Sequence, residues 1–164
     1  MNAAVLKTVD GGNVVRGFES LPLRLFSQDG RMNESDPDAQ MVRRLYAAWS
    51  GGDLDTAASC FSPDVVWTVP GRSPIAGAHK GWVAIRDGFF ARLGSISGGT
   101  FVAELVDVAV GQKHVVAIQH ATAAREGRRL DITACQLMRI EGGTIARVHS
   151  HYSDQEALDA FWSN

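Results

Sequence analysis

A change of hydrophobic period near Thr100 constrains the fold of this chain more than any other feature. Before Thr100 apolar residues recur about every 3.6 positions, and after it they alternate with polar ones, which is typical of half-buried strands. Turn residues break this alternation three times, at Gly111-Gln112, Glu126-Gly127 and Gly142-Gly143. The four strands predicted in this way lie near residues 100–110, 114–125, 128–140 and 144–152. Connections this short make neighbouring strands antiparallel.

Two helices are predicted before the strands. Asp36 suits the N-cap of a helix, Pro37 suits its first position, and Gly51-Gly52 ends its apolar pattern. Asp53 then caps a second, short helix that ends near Phe61. Both helices place one apolar stripe towards a common core.

Further elements follow in a fixed order. The β-branched and aromatic run 65–69 predicts a strand that ends at Pro70-Gly71. Apolar spacing from Trp82 predicts a third helix, which Gly94 ends. Ser153, followed three residues later by Glu156, has the pattern of a capping box and predicts a short C-terminal helix. Helices and strands segregated in this way indicate an α+β fold.

Length and composition exclude several classes of protein. The 164 residues suffice for about one domain, and 16 basic against 18 acidic residues give a net charge of -2 without a basic stripe. We therefore expect no nucleic acid as partner. No apolar run approaches the roughly 20 residues that span a bilayer, and no basic-then-apolar leader is present, so we expect no membrane partner and a cytoplasmic location. Cys60 and Cys135 lack metal-like spacing and are interpreted as free thiols.

The domain boundary is predicted at the start of the first helix. Residues 1–35 show no sustained period and are interpreted as an irregular or partner-contacting extension. Residues 36–164 form the predicted domain.

Three segments carry a resemblance to a known family: residues 45–49 with 52–55, residues 71–77, and residues 139–154. With the order of elements, they resemble the nuclear transport factor two-like superfamily over residues 36–162, closest to the SnoaL-like branch that includes polyketide cyclases. The resemblance implies a cystatin-like cone, in which a curved antiparallel sheet encloses an apolar pocket behind three N-terminal helices. It also implies a homodimer through the outer face of the sheet.

The resemblance also shows where this chain departs from enzymes of the superfamily. Val69 stands where ketosteroid isomerase-like chains carry the proton-abstracting aspartate, and Leu45 stands at their oxyanion-binding tyrosine. Tyr46 is one position out of phase, which is about 100° around a helix. Ser150 stands at the carboxylate of cyclase-like and hydrolase-like members. Isomerase chemistry of that type is therefore not expected here.

By the resemblance, alternate residues of three strands face the pocket, among them Gln119, Gln136, Ser150 and Tyr152. The predicted ligand-binding residues are Tyr46, Trp67, Val69, Phe89, Gln119, Gln136, Met138, Ser150 and Tyr152. This composition suits a flat, largely hydrophobic ligand held by a few hydrogen bonds. The alternative is a cavity filled by side chains, in which the glutamines bond one another.

Histidines on the strands offer a different interpretation. His149 and His151 share a face of the last strand, and His120 on a neighbouring strand adds a third imidazole with metal-ligand potential. In the register above all three point outward. If the register were shifted by one residue, His149 would be the leading general base. Asp131 would be a pocket acid unless it pairs with Arg128 or Arg129 at the rim.

Two functions remain open from the sequence. The first is an enzyme without cofactor or metal that transfers protons on a polyketide-, terpenoid- or steroid-like substrate, with His149 or Asp131 as the catalytic residue. The second is a noncatalytic module that binds a hydrophobic small molecule or dimerises. A titratable pocket residue close to a donor favours the first, and mutually bonded amides in an apolar pocket favour the second.

Overall fold

The computed structural model describes residues 35–163, so the predicted extension over residues 1–35 lies, except for Ser35, outside the described residues. Helix α1 spans Pro37–Ser50, and the Asp36 side chain accepts a hydrogen bond from the Asp38 amide at 2.9 Å. Helix α2 spans Leu54–Ser59, and Asp53 accepts from the Thr56 amide at 3.0 Å. Both predicted caps are confirmed.

Six strands form one curved sheet in the order β2-β1-β6-β5-β4-β3. Their bounds are β1 Phe61–Val69, β2 Gly77–Lys80, β3 Val102–Val110, β4 Val115–Arg125, β5 Arg128–Glu141 and β6 Thr144–Tyr152. The predicted meander corresponds to β3 to β6, whose neighbours pair antiparallel. Together with the helices, this sheet confirms the predicted α+β fold.

The first two strands differ from the prediction in three respects. Strand β1 begins at Phe61 rather than near residue 65, with an irregular register before Val66. It pairs parallel with β6, so the sheet is antiparallel except at this junction. Strand β2 was not predicted, because four residues that include Gly77 are too few to show an alternation.

The third helix, α3, is longer and less regular than predicted. It consists of an α-helical turn Gly81–Val83, a π-helical segment Ala84–Phe90 and an α-helical segment Ala91–Ile96. Gly94 lies inside the helix instead of ending it, and the chain turns at Gly98 and Gly99, both with positive φ. Glycine costs a helix only about 1 kcal/mol relative to alanine, which packing can offset.

The C-terminal helix, α4, spans Gln155–Trp162. Its N-cap is Asp154, which accepts from the Ala157 amide at 2.8 Å, and not Ser153 as the capping-box pattern predicted. Ser153 instead accepts from the Thr133 amide of β5 at 3.2 Å. The helix was therefore predicted one residue out of register.

The sheet wraps its inward face around the helices. Inward residues of β4, β5 and β6 are buried and alternate with more exposed ones, as the predicted strand parity requires. The described helices include none long and apolar enough to cross a bilayer.

Candidate functional site

The inward face of the sheet carries an unusual set of buried polar side chains. Gln119, Gln136 and Ser150 are 7%, 2% and 2% exposed, although their neighbours on the same face are apolar. Gln136 lies directly opposite Ser150 on β6 and is a diagonal neighbour of Gln119 on β4, two residue pairs along the ladder. Strand alternation brings all three to the same side, where helices cover them.

Aromatic rings from three elements cover this polar patch. Trp49 of α1 lies against Phe90 of α3, with ring centroids 3.9 Å apart. Trp67 of β1 packs on Phe89 at 5.4 Å and meets Phe90 edge-on at 5.2 Å. Phe89 and Phe90 are consecutive, and the π-helical turns around them bring both rings to the cavity.

A cavity lies between the rings and the sheet, and together with the open solvent at its mouth it measures about 680 Å³. The lining residues are Leu45, Tyr46, Trp49, Trp67, Ile75, Phe89, Phe90, Leu93, Phe101, Ala103, Gln119, Ala121, Ile132, Gln136, Tyr152, Leu158 and Trp162. The two glutamines do not bond one another: Gln119 Oε1 accepts from Tyr46, and Gln136 Oε1 accepts from Ser150.

A chain of hydrogen bonds with a defined direction lies at the sheet side of the cavity. The indole Nε1–H of Trp67 donates to Ser150 Oγ at 2.9 Å. Ser150 Oγ in turn donates to Gln136 Oε1 at 2.7 Å. The acceptor oxygen of Gln136 is thus occupied within the protein.

A second pair connects helix α1 to the sheet. The Tyr46 hydroxyl donates to Gln119 Oε1. Burial is the main cause that raises the pKa of the Tyr46 phenol far above its ordinary value, and the neighbouring Tyr152 adds to this. Tyr46 is therefore a neutral hydrogen-bond donor at physiological pH.

Tyr152 completes the polar part of the lining. Burial also raises the pKa of its phenol, an effect that the Ser150 hydroxyl partly opposes. Among the described residues that line the cavity, none is Asp, Glu, His, Lys or Arg. The polar groups of the cavity lining are therefore side-chain amides, protonated phenols and tryptophan indole N–H groups.

The structure places the predicted ligand-binding residues in two groups. Six line the cavity: Tyr46, Trp67, Phe89, Gln119, Gln136 and Tyr152. The other three, Val69, Met138 and Ser150, are at most 2% exposed and lie outside the lining. Ser150 acts on the site indirectly, through its bonds to Trp67 and Gln136.

Tyr46 reaches the cavity despite its apparent phase on the helix. Leu45 and Tyr46 both line the site. Tyr46 does so because its long side chain extends from helix α1 to Gln119 on strand β4. Helix phase gives the direction in which a side chain leaves the helix but not its length, and the length of the tyrosine brings its hydroxyl to Gln119.

The two predicted catalytic residues do not lie at the cavity. His149 is exposed on the outer face of β6. The Asp131 carboxylate is 77% exposed and accepts from His120 Nε2 at 2.7 Å, rather than from Arg128 or Arg129. The outward register of the sheet excludes both side chains from the pocket, so neither enters the function proposed below.

The histidines do not assemble into a metal centre in the described part of the chain. His149 and His151 are exposed, and no group of three or more His, Cys, Asp or Glu residues among residues 35–163 has the arrangement of a metal site. Cys60 and Cys135 are free thiols, as predicted.

Sequence reasoning missed several aromatic residues of the site. Trp49 and Trp162 were interpreted as core, and Phe90 and Phe101 were not singled out. A core stripe and a cavity wall have the same periodicity, so spacing does not separate them. Adjacency in Phe89-Phe90 is no signal either, since the consecutive residues Leu45 and Tyr46 of the regular helix α1 also line the same cavity.

Comparison with known proteins agrees with this architecture. Residues 42–148 match the sequence model of the SnoaL-like domain. The chain belongs to the SnoaL-like family. An uncharacterised protein of Mycobacterium tuberculosis is 36% identical over 132 residues, which cover 78% of this chain and 98% of the relative.

Two solved structures of similar proteins share the fold. Bal32a, from a soil-derived mobile gene cassette, is 40% identical with a TM-score of 0.74, and the match covers 79% of this chain and 99% of Bal32a. A protein of unknown function with a cystatin-like fold from Xanthomonas campestris is 28% identical with a TM-score of 0.70, covering 77% and 98%. The SnoaL-like family thus fixes the fold, and the cavity has to supply the argument for function.

Proposed function

We propose that this protein binds a flat, uncharged and largely apolar small molecule in the cavity without transforming it. The observation that carries the proposal is an aromatic cavity whose polar lining consists of uncharged groups: amides, neutral phenols and indole N–H groups. Aromatic walls bury ring surfaces well, at roughly 25 cal/mol per Å² of apolar area. A charged ligand would lose its hydration there without meeting a counter-charge.

Proton-transfer catalysis is the less well supported of the two functions. Such an enzyme needs a base within hydrogen-bond reach of the substrate, with a pKa near the working pH. Among the described lining residues the groups that titrate are Tyr46 and Tyr152, whose raised pKa values keep them protonated. They can donate to a ligand but are poor proton acceptors.

The proposed ligand class follows from the shape and chemistry of the walls. Trp49, Trp67, Phe89 and Phe90 pack on one another and together form an aromatic wall of the cavity. Polyketide-, terpenoid- or steroid-like ring systems would present broad apolar surfaces and few polar groups to such a wall. No cofactor or metal enters the proposal.

The test uses N-phenyl-1-naphthylamine, an uncharged apolar dye whose fluorescence increases on binding. We expect saturable binding to the native protein and its loss in Ala121→Phe, because Ala121 is 2% exposed and lines the cavity. Ala124→Phe adds the same ring to an exposed position of β4 and is the matched control. Equal binding by both variants would refute a cavity site.

A separate experiment tests whether the protein converts the molecule that it binds. Small molecules extracted from the purified protein are identified by mass spectrometry and incubated again with fresh protein. Recovery of the unchanged compound supports binding alone. Its conversion to an isomer or a cyclised product would overturn the noncatalytic assignment.

A further inference from the structure

The hydrogen-bond directions of the buried polar groups restrict the chemistry of the ligand further. We infer that the ligand carries at least one carbonyl oxygen, which accepts hydrogen bonds from the side-chain amide NH₂ groups of Gln119 and Gln136. Planar aromatic ketones and quinones are the class that this implies. The inference rests on the proposed function and deepens it.

The chain of hydrogen bonds starts at Trp67, which fixes its direction. An indole N–H only donates, so Ser150 Oγ is the acceptor in the 2.9 Å bond between them. The Ser150 hydroxyl keeps one proton, which it donates to Gln136 Oε1 at 2.7 Å. The amide of Gln136 is thereby oriented with its oxygen towards Ser150, leaving the NH₂ group for other partners.

Gln119 is oriented in the same sense by helix α1. The protonated Tyr46 hydroxyl donates to Gln119 Oε1, which leaves the Gln119 NH₂ group without a protein acceptor among the described residues. The two glutamines therefore repeat one arrangement. In each, a hydroxyl group occupies the acceptor and the donor remains.

The remaining donors face space instead of protein. Gln119 and Gln136 both line the cavity, and neither Nε2 atom is among the fully enclosed polar atoms without a partner. A buried donor without a partner costs free energy, so an acceptor that enters the cavity gains affinity there. A hydroxyl group on the ligand can also accept, but its own proton then needs an acceptor. A carbonyl oxygen has two lone pairs and no proton, so it accepts from both amides without that requirement.

The two glutamine amides lie close enough to contact the same edge of one ligand. Gln119 lies opposite Ala134 and Gln136 lies opposite Ala117, so the glutamines are diagonal neighbours on β4 and β5. Diagonal side chains are about 7–8 Å apart at their bases and within reach of a shared atom when they are long. One carbonyl, or two on the same edge of a ring, can therefore contact both donors.

The experiment compares matched ligands that differ only at the acceptor: fluorene with 9-fluorenone, and indane with 1-indanone. Affinities are measured by displacement of N-phenyl-1-naphthylamine from the full chain. We expect each ketone to bind about 3- to 30-fold more tightly than its hydrocarbon, which corresponds to one or two net hydrogen bonds.

The key variant is Tyr46→Phe/Gln119→Met, which removes both partners of one bond and leaves no orphaned hydroxyl. We expect it to lose at least about 3-fold of the ketone preference while its affinity for the hydrocarbons changes little. Gln136→Met provides a second, independent loss. Gln112→Met, the same change at an exposed turn position, is the control that keeps the full preference.

The outcomes separate this inference from the function on which it rests. If neither the dye nor any of the four compounds binds, the proposed function itself fails. If hydrocarbons and ketones bind equally, the cavity binds apolar rings and the carbonyl inference is wrong. A ketone preference that survives in both glutamine variants would also overturn it, because the donors would then lie elsewhere.

Discussion

Trp67 donates its indole N–H to Ser150 across 2.9 Å although 83 positions separate the two residues in the sequence. This contact joins β1 to β6 at the parallel junction of the sheet. Through Ser150 it also sets the orientation of Gln136. One donor-only side chain therefore determines which group of a buried amide is available to a ligand.

Replacement of the Trp67 indole N–H should lower the stability of the protein measurably. We expect Trp67→Phe to lower the free energy of unfolding by about 1–2 kcal/mol more than Trp82→Phe does, as determined by urea denaturation. Trp82 stacks on Phe61 at 5.5 Å without a hydrogen bond from its indole N–H among the described contacts. Equal losses in the two variants would mean that ring volume, and not the hydrogen bond, is responsible.

High pH provides a second test. Burial raises the pKa of Tyr46 and Tyr152 above the ordinary value of about 10, so their neutral forms are favoured in the folded protein. Their contribution to stability is complete below about pH 10 and is lost as the pH rises above that value. Near-ultraviolet absorbance at 295 nm follows phenolate directly, because these are the 2 tyrosines of the sequence.

In the folded protein we expect less phenolate at pH 10 than in urea, where the midpoint lies near 10. Tyr46→Phe should leave a single tyrosine signal with a raised midpoint. Coincident titration curves with and without urea would contradict the burial of the phenols.

The outer histidine and aspartate should be dispensable for ligand binding. We expect His149→Ala and Asp131→Asn to change the unfolding free energy by about 0.5 kcal/mol or less, since both side chains are exposed and exposed ion pairs stabilise little. Dye affinity should equal that of the native protein. Loss of binding in either variant, without loss of stability, would mean that the outer face belongs to the site.

The homodimer implied by family resemblance is also open to test. We propose that copies pair through the outer face of β4 and β5, where Ile118 and Leu137 are half-buried side chains of one apolar strip. Leu137→Asp should then shift the mass measured by light scattering from dimer to monomer, whereas Val83→Asp, at a residue 62% exposed on α3, should not. A native chain that is monomeric at high micromolar concentration would refute this interface.

The sequence predicted the features that depend on neighbouring residues. Caps at Asp36 and Asp53 and the four-strand meander follow from local periodicity and side-chain chemistry, whereas the inward parity of Gln119 and Gln136 was implied by the family resemblance. They are confirmed because one face of each strand must be buried, which a one-residue slip would reverse.

Features that depend on distant partners were not predictable in this way. The parallel pairing of β1 with β6 and the bond from Tyr46 to Gln119 join segments without any shared local signal. The π-helical segment Ala84–Phe90 departs from the regular period by packing both phenylalanines inward. Several residues of the cavity wall, among them Tyr46, Trp67 and Phe90, belong to these features, so sequence reasoning located the site better than it described its chemistry.

The separation of β1 and β6 along the chain has a consequence for biosynthesis. Strand β1 is made before the other strands of the sheet, but its parallel neighbour spans Thr144–Tyr152 and is the last of them to be translated. Until β6 has left the ribosome, Trp67 has no Ser150 to which its indole N–H can donate. Ligand binding that depends on this hydrogen bond would therefore signal that β6 has joined the sheet.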